Sequence, residues 1–186
     1  MLSVIIPTEG VEQSAVATLA ALVPGAAAGV IKEVLLVDRA GTGVIERVAD
    51  VAGCRFLPCQ GTRAAALAAG ARQARSPWLM FLHAGAVLDS SWIEETTQFI
   101  QRVSDSGRPR AGIFSPYDDP GLRDGFKFIA RMITGPSADQ GLLIARDHYE
   151  RLGGHAPDAR RSEARLLRQL GRSSRTLLRS RIIMVA

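Results

Sequence analysis

Four short apolar runs, each closed by a turn-forming or polar residue, punctuate the first hundred residues. Residues 2–6 are rich in β-branched side chains and stop at Pro7, the pattern of a strand buried on both faces. Residues 34–37 repeat it and end at Asp38. A shorter run, 55–57, precedes Pro58, and a fourth, 78–82, leads into His83-Ala84-Gly85. Helix-spaced segments lie between them. Val16, Leu19 and Val23 fall at i, i+3 and i+7 on a first helix ended by Pro24-Gly25. Residues 44–51 predict a second helix, broken by Gly53, and the Ala-rich 63–75 a third, ended by Ser76-Pro77. Ser91 with Glu94 has the form of a capping box, opening a fourth helix with Ile93, Thr97 and Ile100 on one face. That helix stops near Ser106-Gly107.

The alternation predicts an α/β fold, a mostly parallel central sheet with helices on both faces. The second part is less regular. Strands are expected at 111–114, 142–145 and 182–185. Helices are expected at 126–133, through Tyr149 and Leu152 to Gly153-Gly154, and at 162–170, with a polar loop at 117–124. No repeat or linker interrupts the chain, so one domain with two halves, 1–88 and 89–186, is the expectation.

Composition narrows the class. At 186 residues and 47% hydrophobic, the chain can bury a core without disulfide staples, and it is neither disordered nor collagen-like in make-up. No apolar stretch approaches the roughly 20 residues of a membrane-spanning helix. The first residues carry no basic region and no small-residue cleavage site. Cys54 and Cys59 give neither a disulfide framework nor a four-ligand zinc pattern, so a reduced, cytoplasmic protein is expected.

Charge is unevenly placed. Residues 1–150 hold 14 basic and 16 acidic side chains, whereas 151–186 hold nine Arg and two acids, Asp158 and Glu163. The formal excess of +5 therefore belongs to the last 36 residues. Such a tail admits a phosphorylated ligand, an anionic membrane or nucleic acid. Nucleic acid ranks last, because no Phe, Tyr or Trp follows Tyr149 to stack on bases.

In an open α/β sheet, ligands bind beyond the carboxyl ends of the strands. Here that rule selects Pro7-Thr8-Glu9, residues 38–42, residues 58–63 and His83-Ala84-Gly85. None is a dinucleotide fingerprint, and the chain has no P-loop and no nucleophile elbow. Their order does match a family. Ser3-Val4-Ile5-Ile6-Pro7-Thr8, Glu33-Val34-Leu35-Leu36-Val37-Asp38, Arg63-Ala64 and Phe81-Leu82-His83-Ala84 appear in sequence. Asp139-Gln140-Gly141-Leu142, Leu152-Gly153-Gly154 and the tail from Ser162 to Arg181 follow. With these strings the chain resembles a family 2 glycosyltransferase of the GT-A (nucleotide-diphospho-sugar transferase) fold. It is most similar to the bacterial selenodomain-associated transferase 2 group.

The resemblance implies transfer of a sugar, with inversion, from a UDP- or GDP-linked donor to a saccharide or lipid-linked acceptor. It implies nucleotide-sugar contacts at Pro7, Thr8, Glu9, Asp38, Arg63 and His83, and acceptor contacts at Asp139 and Gln140. It places the catalytic base at Glu163, and it implies work in the cytoplasm, with peripheral contact at the inner membrane face. Mn²⁺ or Mg²⁺ would normally be held by an Asp-x-Asp element after the fourth strand. Here the last carboxylate of that element is Gly85, and the acid expected after Asp38 is Arg39. Two readings stand: an active enzyme in which Arg side chains replace the metal, or an impaired relative that binds nucleotide-sugar or glycan.

The bland alternatives are specific. Glu9 and Glu163 each sit where an acid favours a helix N-terminus. Asp139-Gln140 can cap backbone groups, His83 suits a satisfied half-buried histidine, and the terminal Arg residues suit a solvated face. Residues 126–133 suit a core-facing helix as well as a membrane contact. Cys54 and Cys59 suit small buried hydrophobes.

Overall fold

The computed structural model describes residues 1–116, 141–157 and 162–185. Asp139 and Gln140 lie outside the described residues, as do the segments expected as a loop at 117–124 and a helix at 126–133. Strands β1 (Leu2–Thr8), β2 (Ile31–Asp38), β3 (Arg55–Pro58) and β4 (Trp78–Phe81) are joined by α1 (Glu12–Ala27), α2 (Val44–Ala52) and α3 (Arg63–Gln73). β5 (Ala86–Leu88), α4 (Trp92–Ser106), β6 (Ala111–Pro116) and β7 (Leu142–Ala145) follow. Next come α5 (Arg146–Arg151), α6 (Ser162–Gln169) and β8 (Arg175–Met184). One sheet holds these strands in the order β3-β2-β1-β4-β7-β6-β8-β5. It is parallel through β1–β4 and mixed beyond, with β7 antiparallel to both β4 and β6.

β1 lies at the centre, and all seven of its residues are buried. Its side chains alternate between two apolar layers. Leu2, Val4 and Ile6 join Trp78, Met80, Trp92 and Phe99 in one, and Ile5 joins Leu35, Leu67, Phe81 and Tyr149 in the other. The Ala-rich composition of α3 is a packing requirement. A side-chain carbon at Gly70 would come within 2.5 Å of Ile5, so the helix can lie close on β1 only because that position is bare. Pro7 extends β1 rather than ending it. Ile5 accepts from the Leu82 N–H on the β4 side, and Pro7, two residues on, faces the same side past the last β4 pair. Its missing donor therefore costs no ladder bond.

Four expectations are corrected. α1 runs through Pro24-Gly25 to Ala27 and buries Ala15, Thr18, Leu22 and Gly25, leaving Val16 and Val23 exposed. The small face wins because Trp92 presses against Gly25, where any side chain would overlap the indole. Ser91 makes no cap hydrogen bond. Its N–H and hydroxyl both donate to Asp89, and Trp92, Thr96, Phe99 and Val103 form the buried face. β5, a strand missing from the expected elements, pairs with the end of β8. β8 itself begins at Arg175, so the Arg tail is a strand with Leu178, Ser180 and Ile182 inward and Arg179 and Arg181 outward. Cys54 and Cys59 are free and half-buried beside β3.

Two acids fasten β8 where its pairing with β6 slips register. Glu95 accepts from the N–H groups of Arg179 and Ser180 and from the Ser180 hydroxyl. Asp89 accepts from the Arg181 N–H at 2.8 Å. Burial pushes both carboxyls up, but these hydrogen bonds outweigh it and hold them below their ordinary range.

Candidate functional site

The order β3-β2-β1-β4 makes β1 and β4 a switch point. The chain winds outward from β1 through β2 to β3, then α3 carries it back across to β4. Loops leaving β1 and β4 diverge there and open a crevice, the general ligand position in such sheets. Of the expected nucleotide-sugar residues, Arg63 and His83 line one pocket, while Pro7, Thr8, Glu9 and Asp38 stand outside its lining, at the ends of β1 and β2.

Asp38 is the knot of the β1 and β2 loops. It is 2% exposed, and one carboxylate oxygen accepts from the Thr8 hydroxyl at 2.9 Å and the Gly10 N–H at 3.1 Å. The other accepts from the Gly41 N–H at 2.9 Å. Charge-assisted bonds of this kind are roughly twice as strong as neutral ones. Arg39 crosses the loop tips, pairing with Glu9 and donating from Nε to the Gly61 carbonyl. Glu9 itself is largely exposed.

Arg63, His83 and Glu163 meet in one narrow pocket, a cavity of about 30 Å³ walled by Leu67, Phe81, Ile113 and Leu142. Arg63 is the first residue of α3, where a cation opposes the helix dipole unless an anion is near. That anion is Glu163, in the first turn of α6, which accepts from Arg63 Nε at 2.7 Å. The preceding cap, Thr62, accepts from the Ala65 N–H and donates to the Pro157 carbonyl at 2.6 Å. It thereby ties the start of α3 to the segment leading into α6. His83 is half-buried at the end of β4, and its carbonyl accepts from the Thr18 hydroxyl and the Ala86 N–H.

A buried pair that sequence reasoning passed over completes the wall. The His155 N–H donates to Tyr149 Oη at 3.0 Å, and Oη lies 2.9 Å from His155 Nδ1. The hydroxyl donates to Nδ1 in one neutral imidazole tautomer and accepts from it in the other. Burial, helped by the Arg63 charge, pushes His155 down to about 4. Burial pushes the Tyr149 phenol up to about 12. The legible signal was Gly153-Gly154. Both have positive φ, and Gly154 lies against the Tyr149 ring, so the chain folds back and delivers His155 to that phenol.

The metal element does not fit. Gly85 has φ +92, and a side-chain carbon there would overlap the Val185 carbonyl oxygen. Its own backbone is spent: the N–H bonds to the Ser14 carbonyl and the Thr18 hydroxyl, and the carbonyl accepts from Val185 N–H. Asp89, the next acid, is occupied with β8 and Ser91. Among the described residues, no cluster of three His, Cys, Asp or Glu side chains has the arrangement to hold a metal ion.

No family model matches the chain, and no curated protein matches it by sequence. Solved structures do match in shape. TarS of S. aureus aligns over 95% of this chain and 57% of its own, with TM-score 0.69 and 15% identity. The mannosyltransferase PcManGT of Pyrobaculum calidifontis, solved with GDP-Man and Mn²⁺, covers 95% and 53%, with TM-score 0.67 and 18% identity. Glucosyl-3-phosphoglycerate synthase of Mycobacterium tuberculosis, solved with Mn²⁺, UDP and glucosyl-3-phosphoglycerate, covers 100% and 72%, with TM-score 0.74 and 13% identity. The fold is that of the GT-A glycosyltransferases. The chain spans little more than half the length of the first two proteins.

Proposed function

We propose that this chain is a glycosyltransferase that moves a sugar, with inversion, from a UDP- or GDP-linked donor to a saccharide or lipid-linked acceptor. The observation that carries this reading is the meeting of Arg63 and Glu163, 100 positions apart, in a pocket beside the end of β4 in a GT-A sheet. In this reading residues 1–88 hold the nucleotide along Pro7, Thr8, Glu9 and Asp38, and His83 lies beside the sugar. The 89–186 half receives the acceptor, with Asp139 and Gln140 contributing contacts. The acceptor oxygen attacks the anomeric carbon while the carbon–oxygen bond to the diphosphate breaks. The diphosphate leaves with the electron pair, and Glu163 takes the acceptor hydroxyl's proton. Family 2 membership near the selenodomain-associated group, work in the cytoplasm and peripheral membrane contact for a lipid-linked acceptor belong to the same proposal. No described helix is long and apolar enough to cross a membrane.

Purified protein should release UDP or GDP from a matching sugar donor in an acceptor-dependent way. Glu163→Gln should cost about 10²- to 10⁴-fold in rate, the usual contribution of a general base. A second reading, a binding module without turnover, is favoured by one observation: the Glu163 carboxylate is paired with Arg63. Saturable donor binding with no transfer by the wild-type chain would select it.

A further inference from the structure

A nucleoside diphosphate brings several negative charges into a partly desolvated pocket, and those charges need cations close by. At the end of β4, among the described residues, the carboxylates that would gather a divalent ion are absent or committed. Gly85 is roofed by the Val185 backbone, and Asp89 is bonded to Ser91 and the Arg181 N–H. Arg63 is the cation among the described residues that line the pocket. It stands at the N-terminal residue of α3, whose dipole favours an anion at the same place. Its recorded bond to Glu163 uses Nε alone, so the pair is a single contact rather than a bidentate fork.

We propose that Arg63 takes the place of a divalent cation as counter-charge for the donor's diphosphate, and that the diphosphate draws it away from Glu163. This rests on the nucleotide-sugar reading above. Donor and base then compete for one guanidinium. Without donor, the Arg63–Glu163 pair is closed and the carboxylate is engaged. With donor bound, Arg63 turns to the leaving group and Glu163 is released to accept a proton. Proton acceptance is thereby coupled to donor occupancy, which guards the site against idle chemistry.

Competition makes a prediction that simple charge attraction does not. Removing Glu163 frees Arg63, so Glu163→Gln should bind nucleoside diphosphate more tightly than the wild type. The experiment is calorimetric titration of UDP and of GDP at fixed ionic strength, with Mn²⁺ and with EDTA. It is run on wild type, Glu163→Gln and Arg63→Gln, with circular dichroism confirming the folded state. The expected result is wild-type binding equal within about twofold in Mn²⁺ and EDTA. Glu163→Gln should bind about 3- to 10-fold tighter and Arg63→Gln at least about 10-fold weaker, corresponding to about 1.4 kcal/mol per decade. Arg63→Lys keeps the charge without the fork and gives the same contrast at smaller size should Arg63→Gln not fold. Binding that needs Mn²⁺, or an Arg63 variant with wild-type affinity, overturns the proposal and leaves the nucleotide-sugar reading standing. Failure of wild type to bind any nucleoside diphosphate in either medium overturns that reading as well.

Discussion

Asp38, at the end of β2, and Glu163, in the pocket with Arg63, are both acids, yet they are held in opposite ways. Asp38 is buried, and both its oxygens accept from protein donors on two loops. Glu163 is more open, and its partner among the described residues is a guanidinium that is itself 29% exposed. A carboxylate whose bonds come from backbone N–H groups is a brace that shapes the loops. One held by a single mobile counter-ion is available for exchange. Position at a strand or helix end selects both residues, and only the partners tell the two roles apart.

The difference is sharpest in stability. Asp38→Ala should cost about 3 kcal/mol, because it strands the buried Thr8 hydroxyl and removes the acceptor of the part-buried Gly10 and Gly41 N–H bonds. Glu163→Gln should cost about 1 kcal/mol or less, since Gln retains an acceptor and the site is partly wet. Denaturant midpoints compare the two directly. Similar losses would erase the distinction.

The Tyr149–His155 wall supplies a pH signature for the Glu163 side of the crevice. His155 titrates at about 4 when folded and near its ordinary 6.5 when unfolded, so the unfolded chain binds the extra proton between these values. Its contribution is full above pH 6.5 and falls away as the pH drops to about 4, by up to about 3 kcal/mol. Buried His148, also lowered by burial and by Arg151, adds a slope of the same sign. Thermal melts from pH 7 to 4.5 should show the loss, and His155→Gln should flatten it. A wild-type curve level across that range would refute the buried neutral assignment.

Gly85→Asp restores the carboxylate of the metal element in sequence but not in space. Positive φ and the Val185 carbonyl oppose it, and a loss of about 2 to 3 kcal/mol is expected, with no gain in Mn²⁺ affinity. Tight Mn²⁺ binding by this variant would show that β8 yields easily. The smallest effect belongs to Glu9→Gln, which breaks the exposed pair with Arg39. It should shift stability by about 0.5 kcal/mol or less, and less again in high salt.

The parallel core was legible because strands buried on both faces leave uninterrupted apolar runs, as in β1, β2 and β4. β5 was not, since three residues paired to a distant strand carry no local period. The end of β8 was legible, but its first part was hidden by composition: Arg179 and Arg181 stand outward, and the inward positions include Ser180, whose partner is Glu95. The face of α1 was misassigned because Trp92, 67 positions beyond Gly25, decides which side packs. In the site, Arg63 and Glu163 stood out by helix-end position, but their contact is a product of topology. His155 and Tyr149 had no pattern of their own, and only the double glycine between them hinted at a reversal.

The proposed function requires this GT-A chain to transfer sugar with Glu163 as its base. Its most direct test is acceptor-dependent release of UDP or GDP from matched sugar donors, wild type against Glu163→Gln, in EDTA and in Mn²⁺. Transfer by the wild type in both media, reduced about 10²-fold or more by the substitution, is the predicted result. No transfer with any UDP- or GDP-sugar, or a rate unchanged in Glu163→Gln, would contradict it.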